Sequence, residues 1–297
     1  MNPTGEGPAK RLDGEAAAAA VRGRVQARVD ALRARGVTPG IAVVQVGHMP
    51  ASDVYVRKKL QAAEAMGFQA RLEALDPQAG HPSLLSRIAK LNSDAEVHGY
   101  LVQLPLPSGW DESTALRSVA PEKDLDGFHP MNVGRATLGE GGFWPCTALG
   151  VLELLRHHEV PLAGRHVVVI GRSRVVGRPL ATLLSLRDVN ATVTLCHTGS
   201  GDLARYTRSA DVVVMAAGIP RALTAEMIRE GAVVVDVGIH REPDPGRPGK
   251  MRLVGDVDAA SVAARAAWLS PVPGGVGPMT VAMLLQNAVT ACERSLA

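Results

Sequence analysis

The chain has 297 residues, of which 46% are hydrophobic, and a formal net charge of +3. That length can hold two domains with a substantial core, and the scattered basic residues argue against a nucleic-acid-binding protein, which would concentrate them in a patch. The three cysteines are far apart, without metal-site or disulfide spacing, so we expect free thiols, no bound metal and a cytoplasmic location. No stretch approaches the roughly 18 apolar residues of a membrane-spanning helix, so we expect no membrane partner.

In the first half of the chain, segments with helical spacing alternate with short apolar strands. The predicted elements are a helix near 13–35, a strand at 40–47, a helix within 51–67, a strand near 68–75, a helix at 82–92 and a strand at 99–107. Strands that alternate with helices imply βαβ units and a mostly parallel sheet.

The alternation begins again near residue 147. The predicted elements are a helix at 147–160, a strand–turn–helix at 165–186, strands within 191–199, 210–218, 232–240 and 268–272, a Pro/Gly-rich surface loop at 241–250 and a last helix at 280–296. The continuous valine-rich runs suit parallel strands covered on both faces. We therefore predict an α/β protein with two α/β domains. The first comprises residues 1–145 and 275–297, and the second, 146–274, is a Rossmann-like doubly wound parallel sheet.

The segment GRSRVVG follows a strand and opens a helix, which is the context of a phosphate-binding turn. It reads G-x-S-x-x-x-G, so Gly171 would form the tight turn, Ser173 replaces the middle glycine of the dinucleotide motif, and Gly177 would allow close packing. An ordinary turn between strand and helix is the alternative. Arg172 and Arg174 add positive charge beside a helix N-terminus, which already favours anions.

The strand after this turn ends in LCHTGS, where NAD-binding domains usually carry an acidic residue for the ribose hydroxyls. No Asp or Glu follows before Asp202. The missing carboxylate and the nearby arginine favour NADP over NAD.

Three consecutive basic residues lie in the helix predicted within 51–67. At about 100° per residue, Lys59 falls about 40° from Tyr55 on the apolar side, whereas Arg57 and Lys58 fall on the polar face. Partial desolvation would suit Lys59 to proton transfer. Alternatively, Lys59 extends its amine along the apolar surface to solvent. Helical geometry alone does not separate these two interpretations.

Other polar residues lie where ligands are expected. Gln103 ends an otherwise apolar strand, near the carboxyl edge where parallel sheets bind ligands, although it would equally suit a loop cap. Asp124 and Asp126 precede Gly127 in a loop, where turn-forming aspartates are common. The Gly/Pro-rich segment 271–280 would let a flat ligand approach the backbone, unless it is a plain linker.

Taken together, these stretches closely resemble the bifunctional methylenetetrahydrofolate dehydrogenase/cyclohydrolase family. The matching motifs, in family order from about residue 11 to the C-terminus, are ASDVYVRKK, GYLVQLPLP, PEKDLDGFHPMNVGR, PCTALGV, GRSRVVGRP, ADVVVMAAG, VVVDVGI, GDVD and PVPGGVGPMTVAMLLQN.

The resemblance implies an activity, a cofactor and an assembly. The activity is the oxidation of 5,10-methylenetetrahydrofolate to 5,10-methenyltetrahydrofolate with NADP⁺, followed by hydrolysis to 10-formyltetrahydrofolate, in one-carbon metabolism and purine biosynthesis. The fold implied is two α/β domains with a folate cleft between them, in a homodimer joined through the nucleotide domains.

The resemblance also assigns roles to particular residues. Lys59 takes the place of the catalytic lysine, Tyr55 of the tyrosine that stacks on the folate, Gln103 of the glutamine that hydrogen-bonds the lysine, and Asp126 of the aspartate that holds the pterin ring. We expect Gln103 to position Lys59 and to help keep it neutral. Further substrate-binding positions are Val102, Leu104, Pro273, Gly274 and Gly275. The NADP-contacting positions are Gly171, Arg172, Ser173, Thr198 and Ile239.

Four residues depart from the family pattern: His48, Met49, Tyr100 and Ala148. None of them removes a catalytic group, but we expect that His48 and Tyr100 can alter substrate affinity or the balance of the two activities. Two alternative functions remain at this point. One is an enzyme with only one of the two activities, and the other is a non-catalytic protein that senses NADP.

Overall fold

The computed structural model of the chain describes residues 9–48, 50–247 and 249–296. The elements in chain order are β1 (Lys10–Arg11), α1 (Gly14–Ala34), β2 (Gly40–Val46), α2 (Pro50–Ala65), β3 (Gln69–Leu75), α3 (His81–Ser93), β4 (Gly99–Val102), α4 (Glu112–Ser118), α5 (Pro130–Leu138), α6 (Cys146–His157), β5 (His166–Ile170), α7 (Gly177–Ser185), β6 (Thr192–Cys196), α8 (Ala204–Thr207), β7 (Val212–Met215), β8 (Val233–Asp236), β9 (His240–Pro243), β10 (Met251–Val254), α9 (Ala259–Val262), β11 (Trp268–Leu269) and α10 (Val276–Ser295). The predicted α/β class is confirmed. Within the described ranges, no helix combines the length and the apolar character needed to cross a membrane.

The chain divides into two compact units. The C-terminal unit comprises residues 147–280 together with the described residues up to Ala19, and the N-terminal unit comprises residues 20–146 and those from Val281 onward. The predicted division placed the start of the chain with the other unit. The contacts group the described start of the chain with residues 147–280, because β1 pairs with β11 in the same sheet.

The N-terminal unit is built on a three-stranded parallel sheet in the order β3-β2-β4. The central strand β2 is buried along almost its whole length, as expected for a parallel strand covered on both faces. The core on one side of this sheet includes Ala42, Val44, Leu84, Ile88, Tyr100 and Val102.

The C-terminal unit contains a six-stranded sheet in the order β1-β11-β8-β7-β5-β6, in which every pairing is parallel. From β5 the chain moves outward to β6 and then returns to the other side of β5 for β7 and β8. This reversal is the switch point of doubly wound folds, and ligands bind beside it at the carboxyl ends of the strands. The valine runs of β5, β7 and β8 are buried in the core of this unit.

Some elements differ from their predicted bounds. The strand predicted at 99–107 ends at Val102, and the last helix begins four residues earlier than expected, at Val276. The segment predicted as a surface loop, 241–250, is partly strand, because β9 and β10 form an antiparallel hairpin around it. Among the described residues, no predicted counterpart exists for the strands β1, β9 and β10 or for the helices α4, α5, α8 and α9.

Candidate active site

Lys59 lies in the middle of α2 and differs from its two basic neighbours in burial. Its side chain is half-buried, whereas Arg57 and Lys58 are exposed, as the helical faces predicted. The Nζ atom of Lys59 donates a hydrogen bond to Oε1 of Gln103 at 3.1 Å. The amine is therefore held by a polar partner that follows strand β4, and its role in proton transfer stays a prediction.

Gln103 is fixed by its backbone and by its side chain. Its N–H donates to Val44 O at 2.8 Å, and its Nε2 donates to Leu104 O at 2.7 Å. The second bond turns Oε1 toward Lys59, where it accepts the bond from Nζ. The contact does not itself favour the neutral amine, because an amide oxygen accepts from a protonated amine at least as well as from a neutral one.

Asp126 shares the electrostatic environment of Lys59. Burial raises the pKa of the Asp126 carboxyl to about 6, the charge of Lys59 opposes this shift, and the charge of Asp124 adds to it. The carboxyl therefore titrates closer to neutral pH than an ordinary aspartate. The N-terminal unit thus combines an amine held by an amide with a carboxyl of raised pKa.

Buried hydrogen bonds hold the loop that carries Asp126. Asp124, which is 4% exposed, accepts from His129 N at 2.8 Å. Leu125 lies fully in the core, and its carbonyl accepts from Nδ2 of Asn287 at 2.8 Å. Sequence reasoning did not single out Asn287, although a lone amide among the apolar residues of the last helix was the available signal.

The other predicted substrate-binding residues of the N-terminal unit differ in how much of each side chain a ligand can reach. Tyr55 lies one helical turn before Lys59, and its side chain is 42% exposed, so its ring is accessible to a flat ligand. Val102 is buried in β4 and Leu104 is half-buried. The backbone after β4, rather than the Val102 side chain, is the part of this segment that can meet a ligand.

The predicted residues Pro273, Gly274 and Gly275 lie in the C-terminal unit, between β11 and α10. Gly14 N donates to Gly274 O at 2.8 Å, and Pro273 is exposed. The start of α1 therefore holds this loop in place.

The turn predicted to bind phosphate is a tight glycine turn at the carboxyl end of β5. Gly171 has a φ of 115°, and a Cβ atom on it would lie 2.0 Å from Ala216 O. A Cβ atom on Gly177 would lie 1.8 Å from Gly171 O. Only glycine suits both the φ and the close contact at position 171, so the backbone forms a close cradle after β5, and phosphate binding there stays a prediction.

The remaining predicted cofactor residues follow β5, β6 and β8, at the same carboxyl edge of the sheet. Ser173 Oγ accepts from Val176 N at 3.1 Å, so the serine that replaces the motif glycine supports the turn. Arg172 and Thr198 are exposed, and Ile239 is 45% exposed. The edge thus offers a cation, hydroxyl groups and an apolar side chain.

No acidic residue directly follows β6, where a carboxylate could bind the ribose hydroxyls. The first acidic residue beyond it, Asp202, uses Oδ1 to accept from Ala204 N at 3.0 Å. This arrangement favours a nucleotide with a 2′-phosphate, as the sequence predicted.

The departures from the family pattern lie in different places. His48 is exposed, with Nδ1 3.8 Å from Asp53 Oδ2, and Ala148 is fully buried in the first turn of α6. Met49 lies outside the described residues.

Tyr100 belongs to the core of the N-terminal unit. Its side chain is fully buried, and its hydroxyl donates to Oδ1 of Asn92 at 2.6 Å. We therefore assign Tyr100 a packing role, and its expected effect on substrate affinity or on the balance of the two activities stays a prediction.

Sequence reasoning also gave no role to two carboxylates of the C-terminal unit, Asp236 and Asp256. They are 4% and 0% exposed, and burial raises the pKa of Asp236 to about 6. The available signal was an aspartate at the end of the valine run of β8 and another in the motif GDVD. In the part of the chain that the structure describes, no group of three or more His, Cys, Asp or Glu side chains could hold a metal ion.

Comparisons with known proteins identify the family of the chain. Residues 12–126 match the family model described as tetrahydrofolate dehydrogenase/cyclohydrolase, catalytic domain, and residues 145–296 match its NAD(P)-binding domain. The bifunctional protein FolD of Moorella thermoacetica is 48% identical over 287 residues, which cover 97% of this chain and 100% of that protein.

Solved structures give the same result. The bifunctional enzyme FolD from Campylobacter jejuni is 44% identical, with a TM-score of 0.91 over 96% of this chain and 99% of that chain. The Trypanosoma brucei methylenetetrahydrofolate dehydrogenase-cyclohydrolase, solved with NADP and an inhibitor, is 40% identical, with a TM-score of 0.91 over 98% and 99%. The chain belongs to the tetrahydrofolate dehydrogenase/cyclohydrolase family.

Proposed function

We propose that the chain oxidises 5,10-methylenetetrahydrofolate to 5,10-methenyltetrahydrofolate with NADP⁺ and hydrolyses the product to 10-formyltetrahydrofolate. The observation that carries this proposal is the hydrogen bond from Lys59 to Gln103, in the electrostatic site that also contains Asp126. Membership of the family and the nearly full-length match to bifunctional relatives support it.

In the oxidation, the residues of this chain bind and orient NADP⁺ and the folate substrate. NADP⁺, when bound, supplies the hydride acceptor. The backbone around Gly171 and the hydroxyl of Ser173 would hold its phosphates, and Arg172 with Thr198 would bind the 2′-phosphate. The ring of Tyr55 packs against the folate, and the carboxylate of Asp126 accepts hydrogen bonds from the pterin.

In the hydrolysis, Lys59 moves a proton. The methenyl carbon is already electrophilic because it shares the positive charge of two nitrogens. Lys59 takes a proton from the attacking water as the C–O bond forms, and Gln103 holds the amine in position for this transfer. The C–N bond to N5 then breaks, N5 takes the hydroxyl proton, and the formyl group stays on N10. One proton is released overall.

Two absorbance assays on the purified chain test the proposed function. NADPH formation from methylenetetrahydrofolate is followed with NADP⁺ and with NAD⁺ in parallel, and the loss of methenyltetrahydrofolate is followed without nucleotide. We expect both activities, with NADP⁺ preferred. Activity in only one assay would show that the chain has one of the two activities. Nucleotide binding without either activity would favour a non-catalytic NADP sensor.

We further propose that the chain acts in the cytoplasm as a homodimer joined through its C-terminal units. The three cysteines are free and buried, which suits a reducing compartment. The formyl product would serve one-carbon metabolism, including purine biosynthesis. Light scattering on the purified chain should give twice the mass of one chain, and a monomer at micromolar concentration would contradict the dimer.

Replacing Arg172 by alanine is expected to weaken NADP⁺ binding about tenfold, because a charged hydrogen bond to the 2′-phosphate is lost. The KM for NAD⁺, which has no such phosphate, should stay close to its native value. Arg178→Ala, which removes another exposed arginine nearby, is the control. An equal loss for both nucleotides in Arg172→Ala would show that Arg172 does not read the 2′-phosphate.

Replacing Asp126 by asparagine is expected to change the pH dependence of hydrolysis. The pKa of the native carboxyl is raised to about 6, so kcat/KM should fall as the carboxylate becomes protonated below that pH. The Asp126→Asn variant should have a lower kcat/KM at neutral pH, and its pH profile should lack the inflection that the native carboxyl produces. An inflection that survives unchanged would have to come from another group.

The same substitution is expected to raise stability at neutral pH. Because the folded-state pKa of Asp126 lies above its ordinary value of 3.8, the folded state binds the proton more tightly, and ionisation of the carboxyl favours unfolding. The gain from Asp126→Asn should be smallest below pH 3.8, should grow between pH 3.8 and about 6, and should stay constant above that. Denaturant unfolding in acid and at alkaline pH measures it, and an equal gain at both would contradict burial as the cause.

A further inference from the structure

A fully buried carboxylate in the C-terminal unit ties together two loops at the carboxyl edge of the sheet. Asp256 is 0% exposed. Its Oδ2 accepts from Ala217 N at 2.7 Å and Gly218 N at 2.8 Å, and its Oδ1 lies 2.6 Å from His240 Nε2. One carboxylate therefore bridges the loop that follows β7 and the loop that follows β8.

Each of these loops exposes an isoleucine beside a residue bound to Asp256. Ile219 follows Gly218 and is 52% exposed, and Ile239 precedes His240 and is 45% exposed. Both isoleucines lie beyond the carboxyl ends of β7 and β8, and a doubly wound sheet binds its nucleotide at that edge.

A second buried carboxylate fixes the backbone of Asp256 itself. Asp236, at the end of β8, accepts from Gly238 N at 3.0 Å, from Asp256 N at 2.9 Å and from Val257 N at 3.0 Å. Ile239 consequently lies between Gly238, which is bound to Asp236, and His240, which is bound to Asp256. The backbone on both sides of this isoleucine is held.

Packing around the two carboxylates leaves little space for movement. A Cβ atom on Gly238 would lie 2.2 Å from Asp256 Oδ1, so the loop after β8 passes directly over the carboxylate. Burying a carboxylate is expensive unless hydrogen bonds compensate it. A purely structural contact could be made more cheaply by apolar side chains, whereas a carboxylate fixes the direction of three donors at once.

We propose that Asp256 is a positioning residue for the dinucleotide: through Ala217, Gly218 and His240 it holds the loops that present Ile219 and Ile239 to the flat rings of NADP. The inference rests on the proposed function, because it assigns the apolar walls of the same cofactor site. It adds Ile219 and His240 to the residues on which NADP binding depends.

The test compares His240→Ala, which removes the donor to Asp256, with His240→Gln, which keeps an N–H donor. NADP⁺ affinity is measured by titration calorimetry, together with the two activities and the unfolding midpoint. We expect His240→Ala to raise the Kd for NADP⁺ and the KM about tenfold, and His240→Gln to restore most of the affinity. Hydrolysis of methenyltetrahydrofolate without nucleotide should keep its native rate in both variants.

A matched control separates positioning from general stabilisation. Asp211 lies at the opposite, amino end of β7, where it accepts from His166 N at 2.9 Å and pairs with Arg229 Nη2 at 2.7 Å. Asp211→Asn should lower the unfolding midpoint without changing the Kd for NADP⁺. A Kd in His240→Ala that matches the native value, or that rises only as much as in Asp211→Asn at a similar loss of stability, would overturn the inference. If the native chain does not bind NADP⁺ at all, the proposed function fails as well, and the wild-type titration reveals this directly.

Discussion

Replacing Lys59 by methionine is expected to lower the rate of methenyltetrahydrofolate hydrolysis about a thousandfold, which is within the range for loss of a general acid–base group. Methionine keeps an unbranched apolar stem, so the packing of α2 is preserved, but it can neither take a proton nor donate to Gln103. Initial rates of methenyltetrahydrofolate loss measure the effect. The NADP⁺ affinity should be unchanged, because the proposed nucleotide residues lie in the C-terminal unit.

The sequence supplies a closely matched control in Lys58→Met. This neighbouring substitution removes the same charge from the same helix, but Lys58 is exposed, so we expect native hydrolysis. Comparable rates in the two variants would exclude the proposed role of Lys59, whereas a shared fall in the unfolding midpoint would point to damage of α2 instead.

The oxidation provides a second readout in the same variant. Hydride leaves the methylene carbon without any proton being moved, so Lys59→Met should lower oxidation much less than hydrolysis. The methenyl intermediate should then accumulate in the presence of NADP⁺. Equal losses in both reactions would instead assign Lys59 to substrate binding, because a binding residue serves both steps alike.

The burial of α2 was predictable because it follows from a local period. Successive residues of a helix advance by a fixed angle, so the sequence alone separates the face of Lys59 from that of its basic neighbours, and the structure has the same faces. The valine runs of β5, β7 and β8 are local signals in the same sense, and they predicted buried parallel strands correctly.

The carboxylate bridge of Asp256 was not predictable in this way. Its partners Ala217, Gly218 and His240 are 39, 38 and 16 residues away in the sequence, and no short-range pattern connects them. The hairpin of β9 and β10 was missed for a different, local reason, since the Pro/Gly-rich turn between the strands dominates the local composition. The Asp256 bridge depends on which strands are neighbours in the sheet, and the local sequence does not specify that.

Gly171→Ala should strongly lower the rate of oxidation at limiting NADP⁺ while leaving hydrolysis intact. Alanine at this position would be strained by the φ of 115°, and its Cβ would overlap the carbonyl of Ala216, which lies 2.0 Å from the ideal position. The turn must therefore move away from β7, which opens the phosphate cradle. A displacement of this kind should raise the Kd for NADP⁺ about a hundredfold. Lys59 and Gln103 belong to the other unit, so hydrolysis without nucleotide should continue.

Gly164→Ala separates the effect of strain from the effect of close approach. Gly164 also has a positive φ, 71°, but no atom lies within 4 Å of a Cβ placed on it. This variant carries backbone strain in the same unit without moving the turn after β5, so it should lose some stability and keep its affinity for NADP⁺. If the two variants bind NADP⁺ equally well, the close contact between Gly171 and Ala216 does not shape the nucleotide site. If only Gly171→Ala loses binding, the cradle depends on the absence of one methyl group, which explains why this turn retains its first glycine while serine replaces the second.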